Sequence, residues 1–150
     1  MDTLNIPELF WEEIDKHFGG AVKSKMQFGF TKPASISVRI HPEKGKNIAF
    51  GASETVPWNS QGILLKERPS FSLDPKFHGG AYYVQDSSSM ILRAFLEHAD
   101  LHEHPLVLDA CAAPGGKSTL ILDYLNHNGF LLSNEIDGKR NDILEENITK

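Results

Sequence analysis

The chain has 150 residues and a mass of 16.7 kDa, room for one ordinary domain or for one small domain and part of another. Its hydrophobic fraction of 40%, with nine Phe, is enough for a packed core and excludes global disorder, while a single cysteine excludes an intramolecular disulfide framework and suits a reducing compartment. Neither a basic-then-apolar leader after Met1 nor an uncharged run near the roughly 18 residues of a membrane span is found, so a cytoplasmic protein is expected.

Along "NIPELFWEEIDKHFGG", Leu9, Phe10, Ile14 and Phe18 fall at helical spacing, with Asn5 as cap, Pro7 in the first turn and Gly19-Gly20 as the stop. Ile36, Val38 and Ile40 alternate with polar residues in "SISVRIHP", a half-buried strand pattern ended by Pro42. Residues 57 to 80 are rich in Pro and Gly and read as a linker, mostly loop, with one short strand near Ile63 to Leu65. "QDSSSMILRAFLEHAD" is expected to be a helix capped by Asp86 and Ser87, with Met90, Ile91, Ala94 and Phe95 on one face. "PLVLDA" is the short apolar run of a buried parallel strand, and "KSTLILDYLNHNG" a helix closed by Asn128 and Gly129. "FLLSNE" is a second strand and "DGKRNDILEENITK" a helix with Ile143, Leu144 and Ile148 inside. The order helix, strand, helix, strand, helix is the opening of a doubly wound α/β fold.

The average charge of −5 conceals an uneven distribution. Residues 16 to 46 carry seven Lys or Arg against Glu43 alone, a local +6. Such a segment attracts phosphate backbones, although a solvated lysine-rich face is the plainer reading of charge alone. Lys23, Lys25, Arg39 and Lys46 are the RNA-contact candidates within it.

The stretch "DACAAPGGKS" at 109 to 118 ends like a phosphate loop and contains the one cysteine, Cys111. A phosphate loop needs a glycine where Cys111 stands, and Pro114 has no N–H to donate, so that reading is disfavoured. A different ligand fits better. Asp109 ends one strand, Gly115-Gly116 lets backbone approach a ligand, and Glu135 ends the next strand, where it can accept from ribose hydroxyls. A helix opening near Ser118, together with Lys117, would favour a carboxylate. S-adenosylmethionine carries both groups. Cys111, flanked by Ala110, Ala112 and Ala113, is expected to serve packing rather than reactivity.

At these residues the sequence resembles the Sun-type RNA (cytosine-5) methyltransferases, whose bacterial members modify ribosomal RNA. "LDACAAPGGKST" looks like the family's cofactor motif, "SVRIHPEK" is similar to its N-terminal strand signature, "FHGGAYYVQDSSSM" to the segment leading into its methyltransferase domain, and "NEIDGKRNDILEENI" to its second strand and following helix. One departure is His41, where the family more often has Asn. The resemblance implies an N-terminal α+β accessory domain over residues 1–75, a candidate for RNA binding, followed at 76–150 by the start of a Rossmann-like, S-adenosylmethionine-dependent methyltransferase fold. It also implies that Cys111, Ala112, Ala113, Pro114, Gly115, Gly116 and Lys117 line the cofactor, that Glu135 holds the ribose and that Arg140 helps orient it. The family's catalytic cysteine adds to cytosine C6 so that C5 takes the methyl group, after which a base removes the C5 proton; a thiolate suits both addition and departure. That cysteine belongs to an Asp-Ala-Pro-Cys motif, which these residues do not contain, so catalytic residues are expected beyond Lys150 and the chain as given is expected to be an inactive N-terminal fragment. Two other classes are the alternatives: a noncatalytic RNA-binding module and a phosphate-loop nucleotide-binding protein.

Three features take plainer readings. His98, His102 and His104 form a solvated helix end rather than a metal site. Trp11 is expected in the core, and Trp58 could pack or stack on a base. Ser87, Ser88 and Ser89 cap a helix rather than act as nucleophiles.

Overall fold

The computed structural model describes residues 6–51, 53–99 and 101–150, which leaves the expected cap Asn5 outside the described residues. The chain forms two compact units, Met1–Ala34 and Ser35–Lys150. The division falls well before the change of pattern at 75 to 76 from which two domains were expected.

The first unit is a helical hairpin. Helix α1 (Glu8–Phe18) is the expected one, with Pro7 at its N-cap and Gly19 at its end, where φ of +82° suits a residue without Cβ. The chain does not stay irregular there. Helix α2 (Gly20–Phe30) begins at once, on a sequence whose apolar spacing is too weak to announce it. Trp11 is buried as expected, edge-on to Phe10 and Phe30 at 5.0 and 5.7 Å between ring centroids. Leu9, Phe10 and Phe18, expected on the packed face, are exposed.

The second unit starts with an antiparallel sheet. Strand β1 (Ile36–Ile40) pairs with β3 (Asn59–Leu65), which forms a hairpin with β2 (Ser53–Val56) around Pro57 and Trp58. After a 3-10 turn at Phe71–Leu73 and the short helix α3 (Pro75–His78), β4 (Tyr82–Val84) pairs with the other edge of β1, giving the order β2-β3-β1-β4. The supposed linker therefore supplies one of the sheet's four strands, β3, together with the 3-10 turn and α3. Pro57 sits in the turn, where no ladder N–H is needed, and Gly62 lies where an added Cβ would come within 2.8 Å of the Met90 sulfur and of Val56.

Both faces of this sheet are covered. Ile36, Val38 and Ile40 pack with Phe71, Phe77 and Tyr82 on one side. On the other, Val56 and Leu64 meet Met90 and Leu120, with Leu92 and Leu96 at the margin. Strand β1 is consequently buried on its polar face too, at Ser37 and Arg39, and is not the half-solvated strand that its alternation suggests. Met90 lies in a 3-10 turn (Ser88–Ile91) that leads into α4 (Leu92–His98); Ile91 and Phe95, expected on the inner face, are exposed, and Leu92 and Leu96 pack instead.

From here the alternation is as expected: β5 (Leu106–Asp109), α5 (Gly116–Leu125), β6 (Phe130–Ser133) and α6 (Gly138–Thr149). Strands β5 and β6 pair in parallel, Leu106 with Phe130 through Asp109 with Ser133. Helix α5 ends one turn earlier than expected, with Asn126 and His127 at positive φ. The expected burial of the parallel strands is not reached: one face, with Val107 and Leu131, is half-buried. Leu106, Leu108, Phe130 and Leu132 stand on the other at 84%, 62%, 61% and 57% exposure.

Candidate functional site

The turn between β5 and α5 is built by backbone ladder and side-chain clips together. The parallel pairing runs past the strands, with Asn134 N–H donating to Asp109 O at 2.8 Å and Ala112 N–H to Asn134 O at 2.9 Å. Gly115 N–H then closes on Ala112 O at 2.8 Å, and Gly115 takes φ of +109°, which only glycine adopts without strain. Asp109, at the strand end as expected, accepts from the fully buried Ser118 hydroxyl at 2.7 Å and so staples the strand to the first turn of α5. No side chain caps that helix. Its N-terminal N–H groups and the exposed Lys117 are the positive end of the site.

A cleft of about 270 Å³ opens along this turn, lined on one side by Cys111, Ala112, Ala113, Pro114, Gly116 and Lys117, and on the other by residues from Tyr83 to Asp86 and Ser89. Six of the seven turn residues expected at the cofactor are thus brought together, with Gly115 behind them against Leu144 and Asn147 of α6. Cys111 is exposed at the cleft rather than packed in the core; Ala112 and Ala113 do the packing, on Leu144. The second wall was missed in the sequence. Tyr83 donates to Pro114 O at 3.3 Å and Gln85 to Gly116 O at 3.0 Å, while Asp86 accepts from the Ser88 N–H and hydroxyl at 2.7 and 2.6 Å, which hold its carboxyl below the usual range. Ser87 makes no side-chain cap, and its carbonyl accepts from the Trp58 indole N–H at 2.6 Å.

Glu135 and Arg140 stand behind the turn and do not line the cleft. The Glu135 side chain is 3% exposed; its Oε2 accepts from Ala113 N–H at 3.3 Å and its Oε1 from Asp137 N–H at 3.1 Å. Arg140 donates to Ala113 O at 2.7 Å and lies 3.5 Å from Glu135 Oε2. The pair therefore grips one peptide residue from both ends. Helix α6 is directed there by Asp137, which caps it by accepting from Lys139 N–H and Arg140 N–H. With Ala113 N–H committed and Pro114 lacking one, the turn does not form a phosphate cradle.

Of the basic residues, Lys25 and Lys46 are exposed, in the first and second units respectively, and Lys23 is partly buried 3.8 Å from Glu8. Arg39 is different. It is 2% exposed and its guanidinium is taken by Gln85, Thr119 and Asp123, so its expected place on an RNA-contacting face is corrected: a group without solvent access whose three nitrogens each already donate within the protein is not available to a phosphate. Among the described residues no group of three His, Cys, Asp or Glu could hold a metal ion, and no helix is long and apolar enough to cross a membrane. His98 bonds its own helix, at Ala94 O.

Residues 6–87 match the family model for the N-terminal domain of 16S rRNA methyltransferase RsmF, and residues 96–150 match that for 16S rRNA methyltransferase RsmB/F. The chain belongs to the RsmB/F family of 16S rRNA methyltransferases. It is 37% identical over 99 residues to the ribosomal RNA small subunit methyltransferase F of Psychromonas ingrahamii, covering 63% of this chain and 21% of that protein. To the protein of the same description from Cronobacter sakazakii it is 33% identical over 131 residues, covering 79% and 27%. The chain thus spans less than a third of the length of these relatives. Among solved structures, a methyltransferase homolog protein from Pyrococcus horikoshii superposes with a TM-score of 0.76 at 24% identity, over 97% of this chain and 49% of that one. NSun6 from Pyrococcus horikoshii with SFG gives 0.67 at 15% identity, over 95% and 62%. These likenesses establish the fold: an N-terminal domain and the start of a methyltransferase region.

Proposed function

We propose that this RsmB/F-family chain carries the S-adenosylmethionine turn and an RNA-binding accessory region of a methyltransferase that acts on C5 of cytosine in 16S ribosomal RNA. The observation that carries the reading is the strand–turn–helix at 106–125: a glycine turn at positive φ, an uncapped helix N-terminus and an exposed Lys117, all opening on one cleft. A carboxylate fits the N–H groups and Lys117, and Asp86 on the opposite wall is a partner for an ammonium. A methionine moiety has both. The small side chains of Cys111, Ala112 and Ala113 leave room along the turn, and the family's structural neighbour solved with SFG, an S-adenosylmethionine analogue, supports the same class of ligand.

When bound, S-adenosylmethionine supplies a methyl group made electrophilic by its sulfonium. The residues of this chain bind and orient it. Glu135 and Arg140 do so through Ala113, whose N–H and carbonyl they hold. Cys111 lines the cofactor side of the cleft, so it is not placed to attack C6 of a base that must lie beyond the methyl group. The 150-residue chain, with this single cysteine, is expected to bind the cofactor without transferring its methyl group. Lys25 and Lys46, with Lys23, are the proposed RNA contacts, and the compartment is that of ribosomes, the cytoplasm.

Titration calorimetry of the chain with S-adenosylmethionine and with ATP plus Mg²⁺ tests the reading: saturable binding of the first and none of the second is expected. The reverse result, or RNA binding with no response to either, would move the chain to the phosphate-loop or the noncatalytic class.

A further inference from the structure

We propose that Arg39 is a positioning residue for the cofactor turn: through Gln85 and Thr119 it fixes the carbonyls of Gly115 and Gly116, and with them the direction of the N–H groups that meet the ligand. This rests on the cofactor reading above. Arg39 lies on β1, eighty residues from the helix it holds, and its buried fork is divided among three partners. Nε donates to Gln85 Oε1 at 2.9 Å, Nη2 to Thr119 Oγ1 at 2.7 Å, and Nη1 pairs with Asp123. Burial draws the guanidinium down to about 10, which leaves it charged at neutral pH.

Each arm then continues to the turn. Because Arg39 offers only donors, the Gln85 amide must present its oxygen to Arg39 and its Nε2 to Gly116 O, 3.0 Å away. The Thr119 hydroxyl accepts from Arg39, so its one proton is free to go to Gly115 O at 2.8 Å. Each of those carbonyls shares a planar peptide unit with the next residue's N–H, which points the opposite way. Fixing Gly115 O and Gly116 O thus aims Gly116 N–H and Lys117 N–H out of the helix N-terminus. The glycine pair, whose Gly115 O also accepts Thr119 N–H at 2.8 Å, thus gains further preorganisation from a residue outside the cleft.

The test uses Arg39→Lys, whose ammonium can still pair with Asp123 but cannot span the fork, and Thr119→Val, which removes one arm at a residue outside the cleft. Backbone 15N order parameters of Gly116 and Lys117 are measured without ligand, and S-adenosylhomocysteine affinity by calorimetry, with thermal midpoints as a check on folding. The expected result is a fall of the order parameters from about 0.85 toward 0.6, with affinity weakened about tenfold in Arg39→Lys and about threefold in Thr119→Val. Should Arg39→Lys not fold, Thr119→Val decides alone. Unchanged affinity, or weakened affinity with a turn as rigid as before, overturns the proposal. Failure of the unsubstituted chain to bind S-adenosylhomocysteine overturns the cofactor reading instead, and the order parameters still decide whether Arg39 holds the turn.

Discussion

Ala113 is held by its N–H and its carbonyl at once, by Glu135 and Arg140. Replacing Glu135 with Ala is expected to weaken S-adenosylmethionine binding by about 1.5–3 kcal/mol, the worth of hydrogen bonds to a charged group. Arg140→Leu separates the two routes to that loss. If Glu135 acts through the turn, calorimetry should show Arg140→Leu weakening binding as well; if only the Glu135 variant does, the carboxylate meets the ribose directly. His41 illustrates a second residue-scale balance. Its Nδ1 accepts from Glu43 N–H and Lys44 N–H at 3.1 and 3.2 Å, a job that the side-chain oxygen of an Asn can also perform. Burial first, and then Lys44 and Arg39, lower the pKa of His41 below its ordinary 6.5. The folded state therefore binds the proton less readily than the unfolded chain, so its contribution is complete above about pH 6.5 and is lost as pH falls through the lowered value. Thermal midpoints should drop between pH 7.5 and 5.5, and His41→Asn should flatten that slope; an equal slope in the variant would remove His41 as the cause.

At the scale of elements, Lys25 belongs to the first unit and Lys46 to the second. Replacing both by Gln is expected to reduce the slope of log affinity for ribosomal RNA against log salt by about 1 to 2. Adding Lys23→Gln should change it less, because Glu8 already accompanies that lysine. An unaltered slope in filter binding across salt would return them to a solvated face. The helices and strands from 86 onward were legible because each has a periodic or continuous apolar run between its own punctuation, although the inner face of α4 was not. The hairpin of β2 and β3 was not. There Pro57 and Gly62 read as breakers, although one occupies the turn and the other yields to Met90, and neither fact is visible without the tertiary partner. The same holds for the cleft: its glycine wall announces itself as a motif, while its Gln85 and Asp86 wall exists only because β4 lies beside β1. Alternation on β1 likewise could not distinguish a polar face turned to water from one turned to α5, and so Arg39 was placed with the wrong partners.

Across the whole molecule, the apolar face formed by Leu106, Leu108, Phe130 and Leu132 is the largest departure from the burial expected of parallel strands. A face of this kind on a short sheet binds other apolar surface. The chain as given is expected to enhance the fluorescence of a hydrophobic dye and to sediment more heavily as its concentration rises; Leu108→Glu with Leu132→Lys should suppress both, and a dye-silent monomer would show the face to be covered. The shared guanidinium of β1 has another consequence, for how such a protein can be divided or recombined. A cut anywhere between 66 and 105 leaves Arg39 on one piece and its acceptors Thr119 and Asp123 on the other, exposing a charge and a carboxylate that had been dry. The antiparallel sheet is thus no interchangeable cassette: grafted onto a foreign methyltransferase core it must bring Asp123 and Thr119 with it, or meet their equivalents there, and a swap that matches the fold but not that acceptor pair should yield a protein that expresses poorly even though every strand is present.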